Sequence, residues 1–435
     1  MTVTGRFVAL VALGVVPIVA LGRTPRTAAL VLGLWLLVVL GAGTLDLALA
    51  GSPRTLSLVR SLPARVRLGE TVMSDLYLTN TGTRRLRAIV RDGWQPSAGA
   101  GNNRTPVLIP PGERRLVSLR LAPSRRGERR VNQVTVRSNG PLGLWARQAT
   151  LECPGRVRVL PPFNARKHLP SRITRLKELD GRTSLLVRGQ GTEFDSLREY
   201  VRGDDVRSID WRATARHSDV MVRTWRPERD RRVVILVDSG RTSAARIDDE
   251  PRLDTAFEAS LLLAALASRA GDHVDFIAYD RRVRGRVQGA QGAELLSRMV
   301  DAMAVIEPEL IEMDWSAVPG QVRAVTSQRA LVVLVTSIDA AGASTALLSM
   351  LPQLTRRHTV VVASVADPTT LLASRRRGNR EEVYRAAAAE RAMLDVARVS
   401  AAIRQQGADV VTAAPADLPP ALADRYIALK AAGLL

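Results

Sequence analysis

The chain has a single cysteine, Cys153, among 435 residues, so no disulfide within it is possible and the fold must hold by packing and hydrogen bonding. Its four histidines, His168, His217, His273 and His358, are scattered. They offer no zinc-ligand spacing and, with one cysteine, argue against a Cys-His nucleophile site. No G-x-x-x-x-G-K-[ST] occurs, and GQGTEF (189–194) supplies G-x-G without a third glycine, so both common nucleotide signatures are missing. No G-x-S-x-G or Ser-His-Asp order recommends a hydrolase. Aromatics make up only 4%, too few for the stacking platforms that nucleic-acid binding favours. What remains is globular in composition, 46% apolar and 24% charged, and long enough for two or three domains.

The net charge of +21 is unevenly spread. Residues 51–155 carry 18 basic and 6 acidic side chains, and 156–232 carry 19 and 11, whereas 233–435 carry 23 and 24. The excess therefore sits in the middle of the chain, nearly all of it arginine. Such a region suits polyanions, and beside a membrane anionic lipid headgroups fit better than nucleic acid.

Two uncharged apolar runs open the sequence. Residues 7–21 follow Arg6, and Ala28 to Leu45 contains Trp35 and is followed by Asp46. The Arg/Pro loop 22–27 joins them, and LGRTPRT lacks a small-x-small cleavage site. The pair reads as a two-helix transmembrane hairpin within residues 1–50, with spans over about 7–22 and 28–48. Arg6, Arg54, Arg60, Arg65 and Arg67 flank it outside, against Arg23 and Arg26 in its loop. The positive-inside rule then places the main body in the cytoplasm.

Residues 55–160 change pattern. VMSDLYL (72–78), RLRAIV (85–90), RRLVSLRL (114–121), RVNQVTVR (130–137) and VRVL (157–160) alternate, and NTG, PPG and SNGPLG interrupt them. Short strands at this spacing predict an antiparallel β-sandwich-like domain. A polar connecting segment, 161–232, follows, in which Asp204-Asp205 is placed to cap a short helix running through Trp211 and Arg216. From 233 to 435 strands and helices alternate. VVILVD (233–238), HVDFIAY (273–279), ALVVLVTS (330–337), TVVVASVAD (359–367) and DVVTA (409–413) are separated by helical stretches. That pattern predicts an α/β domain with a Rossmann-type parallel sheet covered on both faces. Ligands of such sheets bind beyond the carboxyl ends of the strands, here at Asp238 and 336–339.

The stretch GTEFDSLREYVRGDDVRSIDWRATAR (191–216) resembles the signature of the domain of unknown function 58 family of bacterial membrane proteins. The strand ending at Asp238, Gly271-Asp272, YIALK (426–430) and NGPLGLWAR (139–147) are similar as well, so that the resemblance extends over nearly the whole chain. It implies a von Willebrand factor A-like domain and a MoxR-type AAA ATPase as partner, in assembly or maturation of other proteins or in envelope stress. It delivers no activity.

A domain of that kind can hold Mg²⁺ or Mn²⁺ through D-x-S-x-S, a later threonine and an aspartate, all hard oxygen donors. Here Asp238 and Thr242 match, but Gly240 stands where a hydroxyl belongs. Ser337 stands where related domains often carry an aspartate, and Asp339 could serve only if its loop bends back. The metal set Asp238, Thr242, Asp339 is thus degenerate, and no cofactor is expected. The acids of 191–216 have arginines within a few residues, which favours ionised pairs over acid catalysis. Asp204, Asp205, Arg207, Asp210, Trp211 and Arg216 are expected to clamp the halves together or to dock a partner. The reading is a membrane-anchored, non-enzymatic interaction module. A polyanion-binding surface is the alternative, and a hydrolase with an unrecognised site is a third.

Overall fold

The computed structural model describes residues 2–183, 193–201, 204–216, 219–226, 231–248, 250–338 and 341–435. The chain divides into two compact units, Met1–Pro162 and Phe163–Leu435.

The first unit opens with β1 (Thr2–Val3), α1 (Gly5–Ala12), α2 (Val15–Leu21) and α3 (Pro25–Leu49). The first apolar run is two short helices meeting at Leu13-Gly14, not one continuous helix. Trp35 of α3 fills that break: its indole N–H donates to Leu10 O at 3.2 Å, and a Cβ on Gly14 would lie 2.4 Å from its ring. The second run starts three residues earlier than the apolar pattern does, because Thr24 and Thr27 form a reciprocal capping box and Pro25 occupies the first turn. Among the described residues only α3 is long and apolar enough to cross a membrane; Gly5–Leu21 is a shorter apolar segment.

Strands follow: β2 (Leu56–Ser61), β3 (Arg65–Arg67), β4 (Val72–Asn80), β5 (Leu86–Asp92), β6 (Arg104–Ile109), β7 (Arg114–Leu121), β8 (Gly127–Asn139) and β9 (Trp145–Leu160). They form two sheets, β2-β4-β7 and β1-β9-β8-β5-β6, with β3 parallel to β9. Alternation drives the pairing. Leu76 and Leu78 from one sheet pack with Leu86, Val90, Ile109, Val134 and Val136 from the other. Within this core Arg60 grips Asp92 through two bonds of 2.7 and 2.8 Å, while Ser74 and the Trp94 indole complete the cluster. The Arg60 and Asp92 side chains are 2% and 4% exposed, so Arg60, counted above among the arginines that flank the hairpin, is an interior tie between the sheets.

The second unit begins with α4 (Leu169–Thr183) and the antiparallel pair β10 (Glu193–Glu199) and β11 (Met221–Arg226), with α5 (Trp211–Thr214) between them. A central sheet follows, built from β12 (Arg232–Asp238), β15 (His273–Tyr279), β16 (Val283–Val287), β17 (Ala330–Val335), β18 (Thr359–Val365) and β19 (Asp409–Ala413). The two-residue pair β13 (Arg246–Ile247) and β14 (Glu250–Pro251) lies outside it. The sheet order is β16-β15-β12-β17-β18-β19. Five strands run parallel, but β16 pairs antiparallel with β15, so the sheet is mixed rather than wholly parallel. VRGRV is polar enough to sit at an edge, and the tight turn before it, held by Asp280, makes the antiparallel return possible. Helices α6 (Arg252–Arg269), α7 (Gly292–Val305), α8 (Val318–Arg323), α9 (Ala341–Thr355), α10 (Pro368–Arg375), α11 (Arg380–Gln405) and α12 (Leu418–Ala431) complete the unit. Pro319 sits in the first turn of α8, so Pro319-Gly320 starts a helix rather than interrupting one. Asp272, Tyr426 and Lys430 form a buried knot: Tyr426 Oη donates to Asp272, and Lys430 Nζ lies 3.0 Å from it. The Gly271-Asp272 and YIALK segments therefore fasten α12 to the foot of β15.

Candidate functional site

Two places collect the predicted residues. The first is the carboxyl end of the sheet, where β12 stops at Asp238 beside the end of β17. Asp238 is 2% exposed. Gly240 N–H donates to its Oδ1 at 2.8 Å, while the hydroxyls of Thr242 and Thr336 donate to Oδ2 at 3.0 and 2.7 Å. Ser243 donates to its backbone carbonyl at 2.6 Å. Burial pushes the Asp238 carboxyl above its ordinary range; these donors pull it back only partly, and nearby Asp280 adds to the rise. Above it lies a cavity of about 40 Å³ lined by Arg241, Thr242, Glu312, Met313 and Trp315. That volume takes water but no metabolite. An Arg241–Glu312 pair at 2.6 Å spans the rim.

Does this constellation suit Mg²⁺ or Mn²⁺? Two threonine hydroxyls and a backbone amide already spend hydrogens on the one carboxylate. Position 240 is closed to any side chain: a Cβ there would sit 2.7 Å from Ile311 O and 3.1 Å from Asp238 Oδ1. Ser337, at the position of the expected second acid, receives the Arg252 guanidinium at 2.7 Å, a fixed cation where a metal would need an anion. Among the described residues no group of three or more His, Cys, Asp or Glu gathers. Asp339 lies outside the described residues. Among the described residues the oxygen donors at this place are Asp238, Thr242 and Thr336, and both threonine hydroxyls already donate to the carboxylate, so as arranged they do not offer a divalent cation an open set of oxygens.

The second place is the segment between β10 and β11. Asp204 accepts from Arg198 at 2.6 Å and from Val201 N–H at 2.9 Å, which raises the Arg198 pKa. Asp205 caps a single turn, 206–208, through Arg207 N–H. Asp210, not the Asp204-Asp205 pair, caps α5: it accepts from the amides of Arg212 and Ala213, and from Arg223 Nε at 2.7 Å. The Ala213 amide, then Arg223, hold the Asp210 carboxyl below its ordinary range. The helix spans Trp211–Thr214 and stops short of Arg216. The three acids thus shape the loop, whereas Trp211, Arg207 and Arg216 face solvent. Trp211 is 68% exposed, with Val201 and Val206 exposed in the same segment. Gly191, Thr192, Arg202 and Gly203 of the 191–216 block lie outside the described residues.

Residues 196–406 match the family described as Protein of unknown function DUF58. The match starts inside this segment and ends at the C-cap of α11; it does not include the N-terminal unit, so it is narrower than the resemblance read from the residues. The chain is also similar to the Uncharacterized protein YeaD of Bacillus subtilis (strain 168), 25% identical over 177 residues. That alignment takes in 40% of this chain and 42% of YeaD, so the chain spans about two fifths of the length of the curated relative it matches. Among solved structures, the CARDB domain of a Pyrococcus furiosus protein is 17% identical with a TM-score of 0.18, over 24% of this chain and 94% of that one. A FixG-related protein from Vibrio parahaemolyticus is 14% identical with a TM-score of 0.18, over 26% and 96%. Likenesses that slight carry no functional weight.

One site the sequence reading passed over lies in the first unit. Asp46, in the last turn of α3, is 0% exposed. Its carboxylate accepts the amides of Leu142 and Leu144 at 2.7 Å and of Trp145 at 3.1 Å. The loop between β8 and β9 is built for it. A Cβ on Gly140 would lie 2.2 Å from Asp46 Oδ1, Gly143 has φ +67°, and Gly43 leaves room for the Trp145 ring. Thr4 holds the same loop through Gly143 O and Leu144 O at 2.7 and 2.8 Å. The signal was present in NGPLGLWAR and a lone acid ending an apolar run, but nothing local joins residues a hundred positions apart.

Proposed function

We propose that this chain is a membrane-anchored, non-enzymatic interaction module of the Protein of unknown function DUF58 family, and that its C-terminal unit is a von Willebrand factor A-like domain binding a protein partner. The observation that carries this reading is the exposed Trp211 at the start of α5, a turn whose first amides are capped by Asp210. Exposed tryptophan beside arginine is the usual anchor of a protein interface, and Asp204, Asp205 and Asp210 preorganise it by fixing the backbone around it. Arg207, Arg212 and Arg216 beside Trp211 suit a partner with an acidic surface around an apolar pocket. By resemblance that partner is a MoxR-type AAA ATPase, in protein assembly, maturation or envelope stress.

The anchor is a two-span hairpin. Gly5–Leu21 packs along α3 through Trp35, and both its entry at Thr4 and the exit of α3 at Asp46 are fastened to one loop, which supports both ends lying on the same side. The arginine distribution supports that side being the cytoplasm. The Asp238 site works without metal, as a hydrogen-bonded nest that fixes the sheet's carboxyl end.

The test is co-purification of a MoxR-type ATPase with the detergent-solubilised full chain. Trp211→Ala with Arg216→Ala should abolish capture and leave the melting temperature unchanged, since both side chains are exposed. Undiminished capture by that variant removes this surface from consideration.

A further inference from the structure

Where α3 ends, an open groove of about 1030 Å³ begins at Leu49 and runs along the outer face of β5 and β6. Among the described residues its lining carries Arg84, Arg85 and Arg87 and no acid. Its apolar part is the β5–β6 surface, where Arg87 pairs with Leu108 and Ile89 with Pro106. Ile89 and Leu108 are 39% and 48% exposed, an unusual show of aliphatic surface on an outward sheet face between arginines. Arg84 is held in place by donating to the Ala48 carbonyl at the end of α3, as Arg147 does to Leu47 O at 3.1 Å. Arg85 and Arg87 are exposed and no carboxylate pairs with either among the described residues.

The position of the groove follows from helix length. Thr27–Leu45, nineteen residues without a charge, rise roughly 28 Å as a helix, close to the roughly 30 Å of a hydrocarbon core. The bilayer surface therefore falls at Asp46–Leu49, at the mouth of the groove. We propose that this groove binds the headgroup of an anionic phospholipid from the membrane that α3 crosses. The Arg85 and Arg87 guanidinium groups take the phosphate oxygens, for which their planar forks are matched. Leu108, Ile89 and Pro106 cover the glycerol and the first methylenes of an acyl chain. A lipid is favoured over a free anion because the cations alternate with exposed aliphatic side chains and open at the membrane helix itself. The proposal rests on the reading of α3 as a membrane span.

The experiment uses the full chain in zwitterionic detergent, with dioctanoyl phosphatidylglycerol as probe. Dioctanoyl phosphatidylcholine and inorganic phosphate serve as comparisons, with binding followed by native mass spectrometry and titration. Arg85→Gln with Arg87→Gln should weaken phosphatidylglycerol binding about 25-fold, roughly fivefold per arginine. Arg91→Gln with Arg104→Gln removes the same charge from paired positions farther along the same strands and should change it less than threefold. Equal loss from both double variants means diffuse attraction and overturns the site. Phosphate binding as tight as phosphatidylglycerol, or equal binding of phosphatidylcholine, overturns the lipid headgroup. Whether α3 is an anchor is read separately: release of the wild-type chain from membranes by alkaline carbonate overturns the span and, with it, the groove's placement, whatever the titrations give.

Discussion

Replacing Asp46 should loosen the joint between the apolar helix and the β-domain more than any other single change in that unit. Three backbone amides converge on one carboxylate with no exposure to water. Asp46→Ala leaves them without an acceptor in a loop too tight to turn them outward, because Gly140 packs against the Asp46 backbone itself. Hydrogen bonds to a charged acceptor contribute about 1.5–3 kcal/mol each, and a buried donor left unpaired costs about 1–3 kcal/mol. Three of them cannot add fully, since the loop relaxes and water enters, so a loss of about 3–5 kcal/mol is expected. Asp46→Asn is no rescue. Oδ2 receives two amides and Oδ1 one, so an amide nitrogen in either place points a donor at a donor. The assay is hydrogen exchange at residues 142–145 of the full chain in detergent, with thermal unfolding alongside. Exchange at Leu142, Leu144 and Trp145 should accelerate more than a hundredfold in both variants. Protection unchanged in Asp46→Ala would refute the reasoning, for the carboxylate would then not be what holds these amides.

Asp238 gives a prediction with the opposite sign. Its folded-state pKa is raised, so the folded chain holds this proton to higher pH than the unfolded chain does; the group's contribution to stability is complete at acid pH and is lost as pH rises through the folded pKa. Asp238→Asn keeps an acceptor for Gly240 N–H and offers donors to two rotatable hydroxyls. It should therefore melt above wild type at pH 7, with the gap closing toward pH 4; a variant less stable at pH 7 than at pH 4 relative to wild type contradicts the argument. Millimolar Mg²⁺ or Mn²⁺ should leave the wild-type melting temperature unmoved. An ion held at a hundredth of its concentration would add about 2.7 kcal/mol and be plain in the scan. Asp92→Asn strands the buried Arg60 charge and should cost about 3–5 kcal/mol, whereas Arg60→Met with Asp92→Leu should recover most of that in chemical denaturation.

The sequence made the alternation of β4, β7 and β8 and the buried runs of β12, β17 and β18 legible because each is a local period. It also made legible the hard stop of β12 at an acid. What it concealed was non-local. Arg60 gave no sign of an interior role because its partner, Asp92, lies on another strand. Asp46 was visible only as the acid after an apolar run, because the amides it collects come from a turn about a hundred residues later. β16 was missed because VRGRV lacks the apolar content of the central strands, as an edge strand can. In the 204–216 segment the acids were visible, but which residue each one caps depended on two turns, 206–208 and α5, too short for any periodicity to mark.

The Asp238 nest also bears on what separates it from a site arranged for a divalent cation. If Gly240 alone accounted for the missing ligand, a Gly240→Ser change would restore it. The geometry argues otherwise. Arg241 N–H donates to Ile311 O at 2.7 Å and Glu309 N–H to Ser239 O at 2.9 Å, so the 309–313 segment is hydrogen-bonded across the very volume a side chain at 240 would fill. A serine there meets a backbone carbonyl, which cannot yield as a flexible side chain does. On the far side Arg252 holds Ser337, so restoring the second acid by Ser337→Asp would produce an ion pair with Arg252 before it produced a metal ligand. On the proposal that the site works without metal, three coupled changes, at 240, at 337 and in the loop over them, separate this arrangement from one that binds a divalent cation. The first two made together should therefore lower stability and still give no melting-temperature response to Mn²⁺. A response from that double variant would mean the loop yields, and that the wild-type site is one small step from holding metal.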